Sequence, residues 1–435
     1  MALGGGNFTT QNKELPGTYI NFVSASSANP SLSERGITTM PLELDWGPEG
    51  CIFEVDSGEF RKDSMKIFGY PDGHDKLKGI RDLFLGARKL YAYRLNKGGV
   101  KASNAYAEAK YTGTRGNDIK IVVQADADQE ERFHVLAYLD HTRVDSQTVR
   151  LASELKANDY VTYKTDAVLE ETAASPLEGG TNGTIDGTAY QEYADLIESY
   201  SYNTMGIAAT DETTKKMFAA FNKRMRDEMG IKFQLVVHDC QADYMGVINV
   251  KNRVEDQGWP ESSLVYWVTG AQAGCGINKS CQNKKYDGEF TVNTKYTQTQ
   301  LIDCIKAGEF VLHNVNDDIR VLDDVNSMVT VTEATGGVFK DNQTVRVIDQ
   351  IGNDIAVLFN TKYLGAIPND NAGRVSLWSD IVSHHRQMER IRAIEEFSDS
   401  DVVVEQGNTR KSVVVADAIT VAGTMSKLYL TVTVA

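Results

Sequence analysis

Between residues 188 and 312, short apolar runs alternate with helical patterns, and no other feature of the chain constrains its fold as tightly. Met205-Gly206-Ile207-Ala208-Ala209, Phe233-Gln234-Leu235-Val236-Val237, Leu264-Val265-Tyr266-Trp267-Val268 and Phe310-Val311-Leu312 are short and nearly continuous in apolar residues. Such runs read as strands covered on both faces, as in a parallel sheet lying between helices. The segments between them read as helices. They are Thr188–Tyr200, a helix opened by Asp211 and closed before Gly230, one ending near Asp256, a small-residue helix after Val268, and Gln298–Lys306. Met217, Phe218, Phe221 and Met225 give the second of these its apolar stripe. This alternation predicts an α/β layer with a mostly parallel sheet.

The flanking segments differ in character. Residues 100–172 read as β: Asp118–Gln124, Arg132–Tyr138 and Tyr160–Lys164 are strand-like, with turn residues Asp126, Asp128 and Gln129 between the first two. A helix near Asp75–Leu85 and a strand at Leu90–Leu95 precede this region, and the Gly- and Asn-rich stretch 177–187 follows it. Two long helical patterns, 341–362 and 372–394, lead to a strand-rich end. The fold class is therefore α/β plus β and multidomain. Its pieces are an N-terminal arm (1–16), an N-terminal α/β region (17–98), an inserted β domain (99–175), a central α/β domain (176–338), a C-terminal α+β domain (339–404) and C-terminal strands with an arm (405–435).

Composition and motifs exclude several functions. Lys and Arg total 45 against 60 Asp and Glu, a net charge of −15, so the basic footprint that nucleic-acid binding needs is missing. No apolar run approaches membrane-spanning length, and Met1–Thr10 lacks the pattern of a secretory signal. The five cysteines are too sparse for a disulfide framework and read as free thiols. Gly270-Ala271-Gln272-Ala273-Gly274-Cys275-Gly276 has neither dinucleotide nor P-loop spacing, and helix packing on the sheet explains its glycines better. Cys275 and Cys281 lack the further ligands a zinc site needs. His238-Asp239-Cys240 follows a strand, yet sequence neighbours seldom meet as a catalytic triad. Asp317-Asp318 and Asp323-Asp324 read as solvated turns or helix caps beside a hairpin. No residue is assigned to catalysis, to a cofactor or to a metal.

Two features remain. Lys427–Ala435 alternates strictly, with Leu428, Leu430, Val432 and Val434 on one face and Tyr429, Thr431 and Thr433 on the other. It is either the last strand of its own sheet or a strand given to another subunit. At the other end, a Gly-rich and polar stretch leads to the strand-like Thr18–Val23. Helix 372–394 carries Arg374, His384, His385, Arg386, Arg390 and Arg392 in an acidic chain. Leu377, Ile381, Met388 and Ile391 form its apolar stripe, and Arg386 and Arg390 lie towards the opposite face. That face is either solvated and balanced by Glu389, Glu395 and Glu396, or a docking surface for an acidic partner.

Four local matches resemble one family, the tail sheath proteins of contractile phages and phage-like particles, of the type found in Gram-positive prophages and related bacteriocins. They are Leu15–Phe22 with its Pro-Gly-x-Tyr pattern, Gly179–Thr184, Asp323–Thr330, and Tyr363–Asn369 with the helix after it. Asn182-Gly183 departs from the usual Gly-Asp-Gly of the second motif. The resemblance implies a central domain similar in topology to subtilisin but without its triad. It implies a structural subunit, made in the bacterial cytoplasm, that stacks as hexameric rings around a tail tube and contracts to drive the tube through a cell envelope. Implied partners are further copies of itself, the tube protein, and baseplate and terminator proteins, with no cofactor. Tyr19, Ile20, Phe22, Leu428, Tyr429, Leu430, Val432 and Val434 would lie on inter-subunit strand arms, with 7–16 and 405–427 as hinges. Arg386 and Arg390 would face the tube. The alternatives are a hydrolase-like enzyme built on the α/β domain and a monomeric binding module built on the β domain.

Overall fold

The computed structural model describes residues 32–127, 129, 131–333 and 335–434. The strand-like run Thr18–Val23, with Tyr19, Ile20 and Phe22, lies outside them. The chain forms two compact units, one of Glu34–Gln350 together with the tail from Gly423, the other built on Ile351–Ala422.

The first unit opens with β1 (Ile37–Leu42), β2 (Ile52–Asp56), α1 (Ser57–Phe68), α2 (Lys78–Phe84) and β3 (Lys89–Arg94). An all-β insert follows: β4 (Ala107–Ala109), β5 (Ile119–Ala125), β6 (Phe133–Leu139), β7 (Thr142–Val149), β8 (Val161–Tyr163) and β9 (Thr172–Pro176). The chain then returns through α3 (Gly187–Ile197), β10 (Thr204–Ile207), α4 (Glu212–Asp227), β11 (Gln234–His238), β12 (Val247–Val250), α5 (Leu264–Gly274), α6 (Gln298–Lys306) and β13 (Glu309–Phe310). A hairpin, β14 (Leu312–Val315) and β15 (Asp318–Val321), completes the unit before α7 (Asn342–Leu358).

The main sheet has seven strands in the order β13-β12-β11-β10-β1-β3-β2, parallel except for the β2 edge. Thr39 sits opposite Met205 on one side and Tyr91 on the other. Successive residues feed different cores. Val236 joins Leu83, Trp267 and Val268 on one face, while Leu235 and Val237 join Tyr193, Phe218 and Met225 on the other. Burial on both faces is why these strands read as unbroken apolar runs. The insert has its own core, where Ile121, Val123, Val135 and Ala137 of the sheet β7-β6-β5-β9 pack with Trp46.

Three sequence expectations fail here. Leu264–Val268 belongs to helix α5, not to a strand. Leu264, Val265, Trp267 and Val268 are all buried, and periodicity does not separate an all-round buried helix from a buried strand. The helix expected to end near Asp256 is instead a loop around β12. The glycines of 270–274 do mark close packing, but against α2. A Cβ on Gly270 would lie 2.0 Å from Leu83 O, and one on Gly274 would lie 2.1 Å from Gly86 O. A phosphate loop is not needed to explain them.

The second unit contains the end of α7, α8 (Asn371–Arg390), β16 (Ile394–Glu395), β17 (Val402–Gln406), β18 (Val413–Asp417) and β19 (Thr420–Val421). Asp370 caps α8 by accepting from Gly373 N–H at 2.8 Å. β17 and β18 pair antiparallel, Val402 opposite Asp417 and Gln406 opposite Val413, and β16 pairs with β19. Much of the 405–427 hinge is therefore folded, because the β-branched run Val413–Val415 returns onto β17. Among the described residues, no helix is long and apolar enough to cross a membrane.

Candidate functional site

Each cluster with catalytic residue types resolves into structure. His238 ends β11, buried with Nε2 unpartnered, and burial lowers its pKa, which keeps the ring neutral. Cys240 donates its N–H to Asn249 Oδ1 at 2.8 Å, and burial raises its thiol. Asp239 turns the chain at φ 48° and accepts Lys215 Nζ on its carbonyl at 3.3 Å. Among the described residues, no hydrogen bond joins His238, Asp239 and Cys240.

Asp324 corrects the expectation of a solvated turn. It is buried and ion-paired at 2.8 Å to Arg346 of α7, and it accepts from Gln272 Nε2 at 2.7 Å and Cys281 N–H at 2.8 Å. Burial alone would lift its carboxyl; Arg346 and these donors outweigh burial and hold it below the usual range. A second buried pair is bidentate, Arg226 of α4 to Asp349 of α7, both contacts at 2.6 Å. The first turns of α7 are thus fixed to the body through two charge-paired arginines. Asp318, by contrast, is a surface carboxylate paired with Lys285 and Arg320 beside the hairpin.

Helix α8 carries fewer free charges than its sequence promised. His384 and His385 are buried and form a relay: His384 Nε2 to Asp354 Oδ2 at 2.9 Å, His385 Nε2 to Asp417 Oδ2 at 2.9 Å, and Nδ1 to Nδ1 at 3.3 Å. The relay fastens β18 to α8. Arg386 is already engaged with Asp399 and Glu389, both at 2.8 Å, and with Phe397 O at 2.9 Å. Arg390 is exposed. A cleft of about 500 Å³ opens nearby, lined by Tyr363, Ile367, Leu377, Arg374 and Arg410.

The chemistry left on the surface is that of strand pairing. Leu428, Tyr429, Leu430, Val432 and Val434 are between 71% and 89% exposed and belong to no sheet of the described chain. The tail leaves the body at Thr424, whose N–H donates to Gln343 Oε1 at 3.3 Å. In the second unit β17 and β18 form a two-stranded sheet that no third strand joins among the described residues, and Val403 and Val414 are 44% and 56% exposed. An alternating apolar segment outside any sheet and a small sheet with open edges have the groups that strand addition uses. Alternation at 427–435 marked the tail in the sequence; the acceptor hairpin had no comparable signal, because Val402–Val404 and Val413–Val415 read as ordinary strands.

Known proteins resemble this chain from end to end. Four family models match in order: the tail sheath protein Gp18 domain III N-terminal region over 35–95, the phage tail sheath protein beta-sandwich domain over 96–182, the phage tail sheath protein central domain over 183–327 and the phage tail sheath C-terminal domain over 334–435. The phage-like element PBSX protein XkdK of Bacillus subtilis is 31% identical over 99% of this chain and 100% of its own length. A crystal structure of a sheath tail protein from Desulfitobacterium hafniense matches 95% of this chain and 99% of its own, at 34% identity and a TM-score of 0.82. The helical sheath of the anti-feeding prophage in its contracted state, at 14% identity and a TM-score of 0.57 over 97% and 99% of the two chains, shares the fold.

Proposed function

Because the chain belongs to the phage tail sheath family, we propose that it is the structural subunit of a contractile sheath, polymerising as stacked hexameric rings around a tail tube and shortening to drive that tube through a cell envelope. The exposed, alternating segment Leu428–Val434, which joins no sheet among the described residues, supports this reading. One subunit's tail adds to the open edge of a neighbour's β17–β18 hairpin, and main-chain hydrogen bonds link the two without a pocket. The N-terminal arm with Tyr19, Ile20 and Phe22 makes a similar link. With most of the hinge folded, the covalent play lies in about Gly423–Lys427, and the bodies rotate and slide while the strands hold. The subunit's partners are its own copies, the tube protein, and baseplate and terminator proteins, in a virion tail or phage-like particle. The central domain has a subtilisin-like topology without a triad, and energy comes from new inter-subunit contacts.

Arg390, with Arg386 beside it, meets carboxylates of the tube. Rim ion pairs contribute only about 0–1 kcal/mol each, so they position subunits yet separate on contraction. Reversing Arg386 would also break its pairs with Asp399 and Glu389, so Arg390→Glu is the cleaner variant. The test of the assembly reading compares the full-length chain, concentrated and viewed by negative-stain electron microscopy, with a chain lacking residues 427–435. Rings or tubes in the full-length sample alone are expected. Tubes of equal length from both chains would remove the tail from the mechanism.

A further inference from the structure

Two of the free cysteines meet at the C-terminal end of α5. Cys275 donates its N–H to Ala271 O at 3.0 Å, and the Cys281 thiol turns towards the same carbonyl, Sγ at 3.7 Å. The loop between them is pinned: Lys279 N–H donates to Gly276 O at 3.0 Å, and Cys281 N–H to Asp324 Oδ2 at 2.8 Å. Cys275 Sγ lies 3.7 Å from Gly276 O and 3.5 Å from Lys279 O, so both sulfurs border the same short loop. Cys275 is half-buried, whereas Cys281 is 1% exposed, so only the former meets a reagent from solvent.

Two guanidinium groups flank the pair. Arg35 donates from Nε to Cys275 O at 3.0 Å and from Nη2 to Gln272 O at 3.2 Å, while Arg346 donates to Lys279 O at 2.9 Å. The Cys281 thiol beside it brings Cys275 down to about 7 against burial, with help from Arg346 and Arg35, and Cys281 is pushed well up. One sulfur is a thiolate nucleophile with access to solvent, and the other is a protonated partner behind it.

We propose that Cys275 and Cys281 form a redox-modification site, a dithiol that closes to an internal disulfide on meeting a small-molecule disulfide. The Cys275 thiolate attacks one sulfur of the oxidant, forming a mixed disulfide and releasing one small thiolate, which takes a proton from water. Cys281 then gives its proton to solvent and attacks Cys275 Sγ, and the second small thiolate leaves. The protein, starting as one thiolate and one thiol, loses two electrons and the one proton of Cys281, and the oxidant is reduced to two small thiols, the second proton coming from water. Closure staples the end of α5 to the loop that Asp324 holds. The chemistry does not depend on the sheath reading; only its use does, since a released particle leaves the reducing cytosol for an oxidising medium.

The test treats reduced full-length protein near neutral pH with oxidised glutathione, then quenches with iodoacetamide. Trypsin cuts after Lys279, so the bond shows in mass spectra as a linked pair of peptides. Expected are that linked pair in the wild type, a lasting glutathione adduct on Cys275 in Cys281→Ser, and an untouched Cys281 in Cys275→Ser. Phenylarsine oxide, which bridges neighbouring thiols, should block both cysteines of the reduced wild type and neither single variant. That arm stands even if a variant folds poorly. A stable adduct on wild-type Cys275, no reaction there, or oxidation only to a Cys51-linked dimer would each overturn the proposal. Because monomers suffice, failure here leaves the assembly reading untouched, and failure to assemble leaves this one untouched.

Discussion

At the scale of single residues, Asp324 and Asp349 are buried against arginines, whereas Asp82 accepts from neutral donors. It lies on α2 with no exposure, accepting from Glu289 N–H at 2.8 Å and Tyr286 Oη–H at 3.0 Å, and burial pushes its carboxyl up to about 6 despite both donors. The folded-state pKa is raised above the unfolded one. Below about pH 4 both states are protonated and nothing is lost. Between about pH 4 and about 6 the unfolded state ionises while the native state keeps its proton, so stability falls by about 3 kcal/mol, and the loss levels off once the native carboxyl also ionises. Asp82→Asn removes that penalty. The stability difference between variant and wild type, from denaturant unfolding, should therefore climb in the variant's favour by about that amount between about pH 4 and pH 7; a flat difference would show that Asp82 titrates normally. Asp349→Ala has the opposite sign. It strands Arg226 in the core, and breaking such a pair costs about 3–5 kcal/mol in the same assay.

Among elements, the contact between α2 and α5 is the one made by missing side chains. Gly270→Ala drives a methyl into Leu83 O, so the helices must separate, and overpacking of this kind costs about 1–3 kcal/mol. Gly187→Ala, where an added methyl meets nothing within 4 Å, is the control and should change thermal stability little. The same helix shows how far the sequence could be read. β10, β11 and α4 were legible because apolar runs and a 3.6-residue stripe carry their own period. Leu264–Val268 was not, since a helix buried on every side has lost its period. The basic face of α8 was legible only in part. Its sequence left open a face balanced by Glu389, Glu395 and Glu396 or a docking surface; Glu389, one turn along the helix, does pair with Arg386, but Asp354, Asp417 and Asp399, distant in sequence, engage His384, His385 and Arg386 as well. The tail was plain from its alternation, whereas proposing an acceptor for it needed the pairing of β17 with β18, which no third strand joins among the described residues.

Taken whole, the proposed joint has a donor in residues 427–435 and an acceptor in the β17–β18 hairpin, and these two are separable by mutation. A chain lacking 427–435 keeps its acceptor; one with Val403→Asp and Val414→Asp keeps its donor but charges the exposed face of the hairpin. Neither is expected to form tubes alone, and both should melt within a few degrees of the full-length chain, because these residues contribute little to either core. Mixed, they should associate into small closed oligomers in sedimentation velocity, since each has one usable half of the joint. Independent failure with no complementation would mean that tail and hairpin do not recognise each other. The exposed tail has a further consequence, one of solubility. Leu428–Val434 is a charge-free, β-prone window without proline, flanked on one side by Lys427; segments of that composition stack on one another when no proper partner is available. The net charge of −15 keeps free subunits apart, but only while they are dilute and salt is low. A free subunit kept concentrated or in high salt without a partner should therefore aggregate through this tail, at a rate that rises with its own concentration.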